Sequence, residues 1–172
     1  MSIIKNIFGG GVLGKKSVKE RSINIKKTAQ RNILYDAELI DDLINEHHEL
    51  VSLFDKVWSE GYRVKEYSKI SNYLSEFNNL FQDHLLKENL RFYGYVELTT
   101  KHDPKLHTVM RDFRKDMNAI AYAVVGFCEK YMKTEFDDIS LKQFAEDYKG
   151  IKKALLRRIE TEEQDLYSLY KK

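Results

Sequence analysis

The chain has 172 residues, 42% of them apolar and 33% charged, with one proline and eight glycines; this excludes a collagenous or disordered protein and suits one mostly helical domain with a sizeable core. Its net charge of +2 hides a split: residues 1–34 carry eight Lys/Arg against the single acid Glu20, a net +7 that leaves the remainder at −5. The lone cysteine, Cys128, excludes an intramolecular disulfide, and no apolar run is long enough to span a bilayer.

Residues 1–34 read as a basic, flexible arm, of the kind that meets nucleic acid, anionic lipid or an acidic protein face, or simply keeps a protein in solution. Aromatic residues are nearly absent from it, so it lacks the stacking platform of a single-strand binder. The opening Met-Ser-Ile-Ile-Lys-Asn-Ile-Phe has too short an apolar run for a secretory signal and no Ala-x-Ala-like cleavage site, so a cytoplasmic location is expected. Cys128 stands among Val124, Val125 and Phe127 and reads as a small core residue.

Residues 35–172 contain four stretches in which apolar residues recur at intervals of three and four, the pattern of helices that bury one stripe. The first spans about 37–58, entered through Asp36 as N-cap, with Leu39 or Ile40, Leu43, His47, Leu50 and Phe54 on its inner face. On this register His47 points inward and His48 does not. A break is expected around Ser59-Glu60-Gly61. The second spans about 65–96, with Ile70, Tyr73, Phe77, Phe81, His84, Glu88, Arg91 and Tyr95 inward.

The third begins at Asp103-Pro104, a cap followed by proline at the first helical position, and runs to about 133 with Met110, Phe113, Met117, Ile120, Val124 and Phe127 inside. The fourth starts near Ser140, which has Gln143 at capping-box spacing, and runs to about 170 with Phe144, Tyr148, Ile151, Leu155, Arg158, Glu162 and Leu166 inward. Gly150 interrupts it, marking a bend or the close approach of another helix. Four such helices joined by short loops predict an all-α fold, an antiparallel up-down-up-down four-helix bundle.

Polar residues interrupt the four stripes at His47, at His84 and Glu88, at Met117, and at Arg158 and Glu162. His84-x-x-x-Glu88 and Arg158-x-x-x-Glu162 look like two copies of one element, since residues four apart share a helix face. Imidazole and carboxylate from facing helices are what a non-haem iron or manganese centre uses. Each residue also has an ordinary reading: a hydrogen-bonded core histidine at His47, a core methionine at Met117. His48, His102 and His107 are expected in solvent, Glu163 at the surface, and Tyr93, Tyr95, Tyr167 and Tyr170 closing the bundle end with hydroxyls outward.

The stretches Asn45-Glu46-His47-His48-Glu49-Leu50, Phe81-Gln82-Asp83-His84-Leu85-Leu86-Lys87-Glu88-Asn89 and Arg158-Ile159-Glu160-Thr161-Glu162 resemble the hemerythrin-like, or HHE cation-binding, family over about 37–170. The resemblance implies a bundle in which His47, His84, Glu88 and Glu162 form one metal half-site. It places Met117 and Arg158 where the histidines of the second half-site belong. Methionine suits an oxygen-rich iron site poorly and arginine cannot coordinate, so the resemblance implies at most one iron, with Arg158 replacing the second ion electrostatically and pairing with Glu88 or Glu162.

Two function classes follow. One is a hemerythrin-like domain that stores, senses or reacts with iron, oxygen or nitric oxide. The other is a metal-free bundle that binds a protein partner or a second copy of the chain, with nucleic acid reachable only through the basic arm. For the latter, residues 39–51 and 155–166 are faintly similar to helices of bacterial anti-sigma regulators of the regulator-of-sigma-D kind, whose tryptophan and Phe-Cys positions are absent. The sequence offers no nucleophile beside a base, no phosphate loop and no cysteine cluster, so no enzymatic activity is expected.

Overall fold

Residues 34–171 are described by the computed structural model; the expected basic arm lies outside the described residues apart from Leu34. Helix α1 runs Leu39–Lys56 and continues through a π-helical turn, Val57–Tyr62. Helix α2 comprises Tyr67–Lys87, a π-helical turn Glu88–Tyr93 and a last α-helical turn Gly94–Thr99. Helix α3 is Pro104–Tyr131, and α4 is Asp138–Thr161 followed by a π-helical turn Glu162–Leu166 and a short 3₁₀ turn Tyr167–Leu169. The described residues contain no strand. The loops are short, so consecutive helices pack against one another and α1 meets α4 to close a four-helix bundle. No described helix is long and apolar enough to cross a membrane.

Most of the predicted inner stripes are buried. Leu39, not Ile40, heads the α1 stripe, and Asp36 is not its N-cap: the Asp36 carboxylate accepts from the Glu38 amide, and the helix begins at Leu39, two residues later than Asp36 would start it. Helix α1 does not break at Ser59. It widens into the π turn, because Gly61 is buried where α2 crosses it; a Cβ there would lie 2.7 Å from Ile70 Cγ1 and 3.2 Å from the Ile70 amide. The cap of α3 is Asp103, whose carboxylate accepts from the amides of Lys105 and Leu106. For α4 the cap is Asp137, with Ser140 as its reciprocal partner in the box, so the helix starts earlier than Ser140 and Gln143 suggested. Gly150 does not break α4, which is helical on both sides of it, and no other helix approaches it closely: nothing lies within 4 Å of its would-be Cβ. It faces an open groove between α3 and α4, beside Ala119, Ala154 and Arg157.

One end of the core is aromatic, with Phe54, Phe77, Phe127, Phe144 and Tyr148 in mutual contact. Burying each such side chain is worth about 1.5–3 kcal/mol. The Tyr148 hydroxyl donates to the Phe54 carbonyl at 3.0 Å, which ties α4 to α1. Cys128 is fully buried there, and burial pushes its thiol up to about 12.

Two stripe assignments on α2 differ. Leu74 takes the inner place expected of Tyr73, which is half-exposed. Arg91 is exposed and pairs with Asp36, while Phe92 and Tyr93 are buried. The cause is the turn beginning at Glu88: a π turn takes in one more residue than an α turn, so every later side chain is displaced around the helix axis. Apart from Tyr73, the stripe read at 3.6 residues per turn is correct up to Glu88, and it is wrong by one position at Arg91.

Candidate metal centre

Tyrosines and Cys128 aside, His47, His84, Glu88, Arg158 and Glu162 are the only buried ionisable side chains among the described residues, and each is at most 4% exposed. They converge between the aromatic core and the tyrosine-rich end of the bundle. The imidazole rings of His47 and His84 face one another from α1 and α2 with centroids 4.7 Å apart. One donor atom each from His47, His84 and Glu162 lie within 4.8 Å of one another, a spacing that a single cation can bridge.

The orientation of each imidazole is set from behind. His84 Nδ1 lies 2.9 Å from Glu46, whose other oxygen is held by Lys87; His47 Nδ1 lies 2.8 Å from Glu163. Both histidines thus have Nδ1 engaged by a carboxylate, the arrangement that fixes tautomer and ring angle in metal sites. Glu163 is therefore no free surface acid, because the π turn of α4 brings it to His47 together with its neighbour Glu162. Burial alone would lower the pKa of His47, but the carboxylates of Glu162 and Glu163 outweigh it and hold it above the ordinary imidazole value. His84 is shifted the other way, by burial and by the charge of His47.

His47 Nε2 faces inward, 3.3 Å from Glu162 Oε2. The other Glu162 oxygen accepts from Arg158 Nε at 2.7 Å, and Arg158 Nη2 donates to the Tyr93 hydroxyl at 2.7 Å. Of the two pairings expected for Arg158, the structure shows the one with Glu162. Arg158 and Met117 line one wall of a small void beside His47, His84 and Glu162; at about 10 Å³ it has room for one water. Met117 and Arg158 thus lie on the lining of one void.

Glu88 is the exception to this satisfied network. It is 0% exposed, no donor from another group reaches either carboxylate oxygen, and its hydrogen-bonding neighbour is the Glu162 carboxyl, a bond that needs a proton between the two acids. Burial, and then the nearby Glu162 carboxylate, push its pKa well above the usual carboxylate range. A buried carboxyl without such a donor costs about 1–3 kcal/mol, and here it stands next to a second acid, Glu162.

A family profile described as hemerythrin HHE cation binding domain matches residues 38–170. The chain belongs to the hemerythrin-like family. Comparisons with curated proteins and with solved structures returned no match.

His48, His102 and His107 are exposed, as expected. The tyrosines are not all outward. Tyr95 and Tyr170 do reach the chain ends, donating to the Lys171 carbonyl and accepting from the Asp36 amide. Tyr93 and Tyr167 turn inward, to Arg158 and to His47. Each stands five residues after a buried glutamate, Glu88 or Glu162, across a π turn; in an α-helix residues five apart diverge, whereas a π turn aligns them. The repeated element is thus longer than a histidine or arginine and a glutamate: it is His84-x3-Glu88-x4-Tyr93 and Arg158-x3-Glu162-x4-Tyr167.

Because Glu46 and Glu163 hold the histidines rather than face the cation, their loss should weaken binding without abolishing it. Glu46→Gln and Glu163→Gln are each expected to lower cation affinity about 10- to 100-fold, measured by competition with a chelator of known affinity. Unchanged affinity in both would show that the imidazoles are oriented by packing alone.

Proposed function

We propose that this chain is a non-enzymatic, hemerythrin-like iron-binding domain that holds a single ion through His47, His84, Glu88 and Glu162, with Arg158 standing in for the second. The observation that carries the reading is the buried group His47, His84 and Glu162, whose donor atoms lie within 4.8 Å of one another, with Glu88, fully buried and without a donor from another group, next to Glu162. A bundle meant to be metal-free would gain by replacing it with a neutral residue. Arg158 supports the count of one: its guanidinium already supplies a fixed positive charge and donors to Glu162 and Tyr93. When bound, iron supplies Lewis acidity and redox capacity, which suits a role in sensing or storage.

A second reading, a metal-free bundle that acts through a protein partner, draws on the pairing of Arg158, Glu162, His47 and Glu163, which neutralises most of the buried charge without an ion. The two separate cleanly. Full-length protein purified without chelator is expected to carry about one iron per chain by elemental analysis, and His84→Ala to carry little. A folded, metal-free wild-type chain that takes up no iron on titration would overturn the iron reading in favour of the interaction one.

A further inference from the structure

Arg158 shows what a buried cation touches in this bundle. Its guanidinium engages Glu162 of its own helix and the hydroxyl of Tyr93, the tyrosine that follows Glu88 by five residues. The repeat places a second tyrosine, Tyr167, in the equivalent position after Glu162, and its hydroxyl turns toward the His47 and His84 side. It is 5% exposed and enclosed by Phe92, with its ring parallel to that of His47. Its hydroxyl has a single polar contact, His47 Nε2 at 3.4 Å, which is long for a hydrogen bond to a ring nitrogen. That same Nε2 is 3.3 Å from Glu162 Oε2. Separations of roughly 3 to 3.4 Å are what donor atoms adopt when they share one small cation.

We propose that Tyr167 is a further ligand of the cation held by His47, His84, Glu88 and Glu162, binding through its phenolate oxygen, an assignment that rests on the iron-binding reading above. The hydroxyl proton leaves to solvent as the oxygen–metal bond forms, and the phenolate oxygen takes the place of a water or carrier ligand that leaves the ion. A phenolate is a hard, anionic donor, so Tyr167 favours iron(III) over softer divalent ions. It also separates the roles of the two tyrosines. Tyr93 anchors Arg158, and Tyr167 serves the metal.

The test uses the full chain loaded with iron(III) from its nitrilotriacetate complex, followed by visible absorption and resonance Raman spectroscopy. The wild-type protein is expected to show a phenolate-to-iron(III) charge-transfer band with enhanced phenolate ring vibrations. Tyr167→Phe should lose both while still taking up iron, and Tyr93→Phe should keep both. Iron uptake without phenolate vibrations, or a band that survives Tyr167→Phe, would overturn the ligand assignment and leave the iron reading standing. A wild-type chain that binds no iron(III) and no iron(II) would overturn both. Circular dichroism of each variant separates a lost ligand from a lost fold.

Discussion

Glu88→Gln is expected to raise the thermal stability of the metal-free protein while abolishing most of the stabilisation conferred by iron. In the metal-free chain the Glu88 carboxyl is enclosed, without a donor, next to Glu162. Glutamine has nearly the same shape, carries no charge, and brings an amide donor toward that neighbour, so it removes a penalty of about 1–3 kcal/mol. With iron the order reverses. A ligand at a hundred times its dissociation constant stabilises the wild-type fold by about 2.7 kcal/mol, and the variant lacks an anionic donor needed to hold it. A melting temperature that falls in the metal-free variant, or an iron-induced rise equal to that of wild type, would show that Glu88 serves packing alone.

The same substitution should flatten the pH profile. Burial and Glu162 raise the pKa of Glu88 in the folded state, so the metal-free fold binds a proton that the unfolded chain releases near pH 4.3. The stability this contributes is complete below that value and is lost as pH rises toward the raised folded value. His47, also raised, contributes with the same sign from about pH 6.5 upward. The difference between the wild-type and Glu88→Gln curves isolates the carboxyl. Metal-free wild-type protein should therefore lose stability across the neutral range more steeply than the variant.

How much of this was legible in the sequence depended on the helical period. The inward placement of His47, His84, Glu88, Arg158 and Glu162 followed from a repeat of 3.6, because each lies within or at the end of an α-helical stretch. Beyond Glu88 and Glu162 that period fails, since the π turns shift the register. Arg91 was misplaced for that reason, and so were Tyr93, Glu163 and Tyr167. The signal was nonetheless present: a tyrosine follows each buried glutamate by five residues, a spacing that has no meaning on an α-helix and a clear one on a π turn. Glu46 was hidden differently. It precedes an inward histidine on the same helix, and nothing in the periodicity of α1 indicates that it reaches His84 on α2. Such contacts across helices depend on crossing geometry, which one sequence does not carry.

Arg158→Leu is expected to destabilise the protein by about 3–5 kcal/mol, the usual cost of removing one member of a buried ion pair, and so to lower its melting temperature by roughly 6–20 °C. The cost is high because Glu162 and the Tyr93 hydroxyl would both lose their donor in a space closed to solvent. Leucine leaves the volume filled, so the loss reports charge more than cavity. If Arg158 occupies the place of a second ion, exchanging it for a ligand should reverse the loss once metal is present. Met117→His combined with Arg158→His puts two imidazoles on the wall of the same void, where Glu88 and Glu162 are within reach. That double variant should bind one more iron ion per chain than the wild type does, and its metal-free form should be the least stable of the set. An Arg158→Leu protein as stable as wild type would mean that Glu162 finds another counter-charge. Two ions in the wild type would mean that the arginine never replaced a metal.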